Sequence, residues 1–408
     1  MEGRRSRNQT HNLSSSSSYT RKYPSNVTRH QSKFSSSAHA RSNAARVPFN
    51  NNKQEDAADA DPQSSSDFHP LVGTCPYMCP ERERIQRENL RDLAFFERLH
   101  GNPSKSSPSL AVKKFCRTIS TKYVQASDVR PLNVLEDTLN YLMSLLESKE
   151  HPFEVVHDFI FDRTRSIRQD LTMQNIVNKK AIYMYERMVK FHVISHHKLR
   201  RSMSDPNIAS IHHLNLEQLT KTLASLFNLY ETNRNSNYEH ENEAEFCSLY
   251  VLLHLDSCSK PTGEPLSLWF RCVPALVLKS KEMLFARRIL RSFRLGNYKD
   301  FFWATAAQAS YLQYCVMEPY INEVRALAIS CINFGGSKLH PYPLFTLSKL
   351  LMIEESDLES FCNSCGLKTC TDESGYKLLP TKQTAFSHPK DGFQHYSFLG
   401  LQEYESKF

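Results

Sequence analysis

Glycine is scarce in this chain, with 11 residues in 408. Long helices need glycine mainly at their ends, so the scarcity favours helices over a β-rich or α/β enzyme fold. No glycine-rich phosphate loop, nucleophile elbow or paired-acid motif occurs. That absence argues against catalysis: the chain reads as an interaction scaffold, not an enzyme, and implies no cofactor. Long apolar runs are missing too. The longest, near Val273 to Leu278, is far too short to span a bilayer, so no membrane insertion is expected. There is no secretory apolar segment at the polar N-terminus, and the eleven cysteines are an odd, scattered set. A reducing, intracellular compartment is the expectation.

The net charge of +8 is unevenly placed. Residues 1–47 carry nine Lys/Arg against one acid, Glu2, leaving 42 bases against 42 acids in the remainder. The folded body is therefore not expected to be a globally basic nucleic-acid binder. Residues 1–68 lack apolar periodicity and read as a disordered Ser/Asn/Arg-rich tail, a solvating segment or an import or weak RNA-contact segment.

Order is expected from about Leu71. The run Gly73 to Pro80 is too proline-rich for a helix and too apolar for a linker, so it should pack as an extended arm. Glu81 to His100 reads as a charged helix anchored by Ile85, Leu93 and Phe96, and a Ser/Pro loop follows to residue 109. From Leu110 to about Phe334 one helix follows another. Asn133 with Glu136 resembles a capping box, after which Leu135, Leu139, Leu142, Met143 and Leu146 recur at helical spacing. Phe153, Val156, Ile160, Ile167 and Leu171 form a second stripe. Gly296-Asn297 should turn tightly between helices. The pattern is that of stacked helical hairpins, solenoid-like but without a fixed-period repeat.

After Gly335-Gly336 the pattern changes. Leu344 to Leu351 reads as a short helix, and Ser356 with Glu359 as the capping box of a second, which carries Leu358, Phe361, Cys362 and Cys365 on one face. Gly366 sits where a helix-terminating glycine belongs. Lys368–Thr371 and Tyr376–Leu379 read as short strands around a turn. Helix, turn, helix, hairpin is the order of a winged helix. Its second helix would show Asp357 and Glu359 outward without a base, which repels phosphate. A protein-docking role follows, with Leu358, Phe361, Cys362 and Cys365 as the candidate partner interface.

Four constellations carry chemistry. Cys75 and Cys79 are one close pair, and Cys362, Cys365 and Cys370 give only three ligands where structural zinc takes four. Two of the three lie on an apolar helix face, where cysteine packs as a small hydrophobe, so no metal site is expected. His192, His196 and His197 lack the glutamate of the zincin pattern, Val193 standing in its place, and read as ordinary helix residues. Around Asp162 to Asp170, helical geometry clusters Asp158, Asp162 and Arg165 opposite the apolar stripe, while Arg163 and Asp170 border it and can reach another element. Arg287, Arg291 and Arg294 form a basic stripe opposite Phe285, Ile289, Leu290 and Phe293. Such a stripe is either a solvated face or a phosphate contact.

Helical hairpins capped by a protein-docking winged helix describe an all-α, PCI-like architecture. Two irregular strings sharpen this. Gly73-Thr74-Cys75-Pro76-Tyr77-Met78-Cys79-Pro80-Glu81-Arg82-Glu83-Arg84 resembles the opening signature of the SAC-three/GANP family, and Asp162-Arg163-Thr164-Arg165-Ser166-Ile167-Arg168-Gln169-Asp170 its second hallmark. Gly296-Asn297-Tyr298 with Phe301-Phe302 is similar to a third. The resemblance spans about residues 70 to 385. The expected layout is a tail (1–68), signature arm and charged helix (69–109), helical-hairpin domain (110–339), winged-helix module (340–385) and C-terminal tail (386–408). The resemblance implies a scaffold of the transcription-and-export-two complex in the nucleus, with a PCI-domain protein and a small acidic proteasome-lid-like protein as partners. It also implies RNA or DNA contact that is weak and without sequence specificity. Longer members add pore-targeting and centrin-binding regions. This chain ends soon after the winged helix and shows no FG repeats, so centrin and nuclear-pore contacts stay open. Alternatives are a centrosome- or spindle-associated member and a winged-helix transcription regulator.

Overall fold

In the computed structural model, apolar spacing and local capping together define the helices. The structure describes residues 71–118, 124–147, 150–202, 205–234, 240–256, 265–389 and 395–399, all within the unit Asp67–Phe408. The expected disordered tail, 1–68, lies outside the described residues.

The elements run α1 (Glu81–Leu90), α2 (Leu132–Ser144), α3 (Phe153–Met173), α4 (Lys179–Arg200), α5 (Pro206–Asn233) and α6 (Glu243–Leu253). Then come α7 (Leu266–Cys272), α8 (Ala275–Leu278), α9 (Lys281–Arg294), α10 (Tyr298–Gln308) and α11 (Tyr311–Gly335). The chain continues through β1 (Tyr342–Pro343), α12 (Leu344–Leu351), α13 (Glu355–Ser364), β2 (Cys370–Thr371) and β3 (Lys377–Leu379). The chain is thus mostly helical. Side-chain caps start α4 (Asn178), α5 (Asp205), α9 (Ser280) and α10 (Asn297), and Ser310 with Gln313 forms a reciprocal box at α11. The boxes expected at Asn133 and Ser356 do not form. Pro131 and Glu354 are the capping positions, which puts Asn133 and Ser356 inside the first turns.

The expected helix from Glu81 to His100 stops at Leu90, where Arg91 turns left-handed with φ 56°. Two 3-10 turns, Phe95–Glu97 and Leu99–Gly101, carry the chain on. Ile85 is consequently exposed, and the charged Arg87 is the buried residue of α1. The two expected stripes bury Leu135, Leu139 and Leu142 from α2 and Val156, Ile160, Ile167 and Leu171 from α3.

Helices α4 and α5 form an antiparallel hairpin, and α9 packs on α10. In a solenoid each repeat touches only its neighbours. Here α11 packs on α4 and α6, and α6 on α9, so one shared core replaces the solenoid-like stack. Gly296 provides the tight turn into α10 with φ +65°.

The C-terminal module is a strand, two helices and a hairpin. Its sheet has the order β1-β3-β2, antiparallel throughout, with Tyr342 opposite Leu379 and Cys370 opposite Leu378. The strands are shorter than expected, beginning at Cys370 and Lys377. The module is strapped to the body by residues 395–399, part of the expected C-terminal tail (386–408). Tyr396 and Phe398 are buried, and Phe398 stacks 5.3 Å from Tyr314 of α11. Ser397 N–H donates to Asp357 Oδ2 (2.7 Å). Arg325 of α11, 1% exposed, donates to the carbonyls of Met352 (2.9 Å) and Ser397 (2.8 Å).

Candidate functional site

The arm 73–80 is extended because its backbone is bonded to other segments. Gly73 N–H donates to Gln174 Oε1 (2.9 Å), Thr74 N–H to Ala126 O (2.8 Å) and Cys75 N–H to Val129 O (3.0 Å). A Cβ on Gly73 would stand 2.5 Å from Val129 O, so only glycine permits this approach. Met78 O accepts from the amide of Lys113 (3.0 Å) and from Arg130 Nη1 (3.2 Å). Pro76 and Glu81 face solvent, while Cys75, Cys79 and Pro80 are buried and Met78 packs on the core.

Beneath the arm lie two buried carboxylates, each holding two cations. Glu97, fully buried, accepts from Arg87 Nη1 (2.8 Å) and Arg163 Nη2 (3.0 Å). It also accepts from the amides of Ala94 (3.0 Å) and Val112 (2.9 Å). Asp170 accepts from Lys113 Nζ (2.6 Å) and Arg130 Nε (2.7 Å). Burial pushes the Glu97 carboxyl up, but Arg163 and Arg87 outweigh it and hold it below the usual carboxylate range. Ser166 Oγ donates to Lys113 O (2.7 Å), Asp162 accepts from the Phe115 amide (3.2 Å) and pairs with Arg163, and Arg165 lies 3.8 Å over the Phe115 ring. The second hallmark string is therefore one face of α3 gripping the strand-like run 112–116 and, through it, the arm. These groups position backbone.

The cysteines of the arm are held apart from each other's chemistry. Cys75 Sγ faces the Tyr77 carbonyl (3.2 Å), and Cys79 lies by Arg87 (3.5 Å). Burial pushes the Cys79 thiol up to about 12 and Cys362 to about 12. His192 and His196 are buried in the α4–α5 seam, and His197 is buried against Tyr311 and Tyr314 of α11. Asn215 Oδ1 lies 2.8 Å from His192 Nδ1 and 3.2 Å from His157 Nε2, so both rings donate to it. Burial drives His192 down to about 3. His196 Nδ1 lies 2.9 Å from His212 Nε2.

On α9, Arg287, Arg291 and Arg294 are exposed and make no salt bridge among the described residues. They border a cavity of about 400 Å³ with Phe270, Leu278 and Leu290. Arg288, beside them, differs: it pairs with Asp300 of α10 (3.1 Å from Nε) and lies 4.8 Å from the Trp303 ring. Asn297 caps α10 by accepting the Asp300 amide (3.2 Å), which holds that carboxylate in place.

In the module, Leu358, Phe361, Cys362 and Cys365 are at most 1% exposed. Phe361 meets Tyr396 edge to face (5.1 Å). They belong to this chain's own core and are not free surface for a partner, which corrects the expected interface. The apolar groups on the outside are Phe345 (57% exposed) and Tyr376 (68%), with Lys349 lying 4.0 Å over the Phe345 ring. Phe345 lies in the first turn of α12, two residues after Pro343, and Tyr376 immediately precedes β3, two residues before Leu378, the strand partner of Pro343. Nor is the outer face of α13 purely acidic, because Lys377 pairs with Glu359 (2.6 Å).

Glu97, Lys113, Arg130, Arg325 and Trp303 were not singled out by sequence. Only the opposite-charge count could have flagged the first three, since their partners are 10 to 66 residues away.

Comparison with known proteins gives a consistent answer. The model of the SAC3/GANP family matches residues 78–371. SAC3 family protein B of Arabidopsis thaliana is 35% identical over 323 residues, 78% of this chain and 19% of that protein. SAC3 family protein 1 of Schizosaccharomyces pombe is 30% identical, covering 79% of this chain and 33% of that protein. Protein xmas of Drosophila melanogaster is 27% identical, covering 78% and 16%. The chain thus spans between about a sixth and a third of these relatives' lengths.

Proposed function

Because the chain belongs to the SAC3/GANP family, we propose that it is a non-enzymatic scaffold subunit of a nuclear complex coupling transcription to mRNA export. In this reading the body is PCI-like and the C-terminal strand, helices and hairpin are a winged helix that docks a PCI-domain partner. The observation that carries it is the rigid mounting of that module. Arg325 and the strap 395–399 fix it to α11. Rigid mounting lowers the ordering cost of binding. The docking patch is Phe345 and Tyr376, an aromatic pair of the kind enriched in interface centres. A small acidic partner would find complementary charge on the unpaired arginines of α9. The same arginines would give nucleic acid a weak, sequence-independent and strongly salt-dependent contact.

The test is affinity purification of the full chain beside a Phe345→Asp/Tyr376→Asp variant. Both side chains are exposed, so the variant should keep the wild-type melting midpoint. It should lose a PCI-domain protein that the wild type retains. Equal recovery of that partner by a folded variant refutes the docking patch. Deleting residues 340–385 would be less clean, since Leu344, Leu347 and Leu358 belong to the common core.

A further inference from the structure

Trp303 has no role in the reading above, yet it is the most conspicuous aromatic beside the basic face of α9. It is 57% exposed. Its neighbours are not an apolar hollow that a partner's side chain could fill. Arg288 lies 4.8 Å from the ring, and Arg288 is itself locked by Asp300, whose Oδ2 also accepts from Ser292 Oγ (2.7 Å). The salt bridge neutralises Arg288 and makes it a structural backing for the indole. A planar ring is thus held in place with more than half of its surface open to water.

The surroundings supply the complementary charge. Arg287 directly precedes Arg288, and Arg291 and Arg294 continue the row along α9, all three exposed and without a salt bridge among the described residues. On that side the cavity of about 400 Å³ has an apolar lining of Phe270, Leu278 and Leu290. An aromatic plane backed by Arg288 and, along the same helix, a line of exposed guanidiniums that border an apolar hollow are the components of a single-strand site: planes take bases, cations follow the backbone. A duplex would offer phosphates to the arginines but keep its bases stacked inside, leaving Trp303 and the hollow unused.

We propose that Trp303 is a base-stacking platform and that the α9 surface selects single-stranded nucleic acid over duplex. The inference rests on the reading that Arg287, Arg291 and Arg294 contact phosphate. Base stacking on an aromatic is worth about 1–3 kcal/mol by truncation, so Trp303→Ala should weaken single-strand binding roughly 5- to 160-fold. Duplex binding should not change.

The chain contains two tryptophans, which provides a direct readout. Trp269 is 9% exposed and touches Phe270 at the cavity, so quenching is assigned to Trp303 only where it disappears in Trp303→Phe. The full chain is titrated with a short oligouridine RNA and with a duplex RNA of the same length, following tryptophan emission and affinity. Wild type, Trp303→Ala, Trp303→Phe and an Arg287→Glu/Arg291→Glu/Arg294→Glu variant are compared, each first checked for an unchanged melting midpoint. Quenching by the single strand alone, lost affinity in Trp303→Ala and retained affinity in Trp303→Phe support the proposal. If the charge-reversal variant loses binding but Trp303 is neither quenched nor needed, stacking is refuted while phosphate contact stands. Where no variant changes RNA binding, both ideas fall. Quenching by an acidic peptide but not by either RNA overturns the proposal in favour of a protein ligand.

Discussion

Replacing Glu97 with glutamine tests the claim that the family's motif residues hold the arm to the body. The side chain keeps its shape and loses its charge. Oε2 accepts from Arg87, Arg163 and the Ala94 amide, and Oε1 from Arg87 and the Val112 amide. An amide nitrogen at either position opposes donor to donor. Arg163 also has Asp162, whereas Arg87 keeps the looser Glu83 pair at 3.4 Å and the neutral Val112 carbonyl at 3.0 Å. Breaking a buried pair in this way costs about 3–5 kcal/mol, because the stranded cation stays out of water. Domains of 150–250 residues lose about 2–4 °C per kcal/mol, and larger ones less. A drop in the melting midpoint of roughly 5–10 °C is therefore expected for Glu97→Gln. Glu217→Gln is the control: Glu217 and Lys221 are 45% and 61% exposed, so that pair should be worth less than about 1 kcal/mol. Calorimetry or circular dichroism decides it. A Glu97→Gln midpoint within about 2 °C of wild type would refute the reasoning.

Three further outcomes follow from the same structure. Gly73→Ala should force the arm off Val129 and Gln174, destabilising by about 1–3 kcal/mol and admitting protease near residues 71–80; an unchanged digestion pattern would contradict this. Arg325→Leu should remove the guanidinium bonds to the Met352 and Ser397 carbonyls, although the Leu399 amide still donates to Met352, so hydrogen exchange should rise in 395–399 ahead of α4. Acid should weaken the fold through His192. Burial holds its folded value at about 3 while the unfolded chain protonates near 6.5. Between those values the unfolded state binds more protons, so stability falls as pH drops through about 6.5 towards 3. The loss is about 2 kcal/mol from this ring near pH 5, read as a lower melting midpoint than near pH 7.

Much of the helical pattern was legible because its signals are local. The spacing of Leu135, Leu139 and Leu142, the turn at Gly296 and the terminating Gly366 each depend on a few adjacent residues. Arg163 and Asp170 do reach other elements, as their place at the stripe border suggested. What they reach was hidden, since Glu97 and Lys113 lie 66 and 57 residues earlier in chain. Local propensity also failed at Arg91, where the burial of Arg87 against Glu97 bends the chain out of helix. The apolar face of α13 was read correctly as apolar and wrongly as free surface. Periodicity marks a face that needs covering, and here the strap residues Tyr396 and Phe398, far along the chain, contribute to the cover.

The central claim, that the C-terminal module is a partner-docking surface on a rigid mount, is tested most directly by cross-linking mass spectrometry of the purified complex. The module carries Lys349, Lys368, Lys377 and Lys382 on its outside. The account predicts that a PCI-domain partner cross-links to these lysines and that Phe345→Asp/Tyr376→Asp abolishes those links. A partner cross-linked instead to Lys180, Lys190 or Lys221 on α4 and α5, with the module lysines untouched, would contradict it.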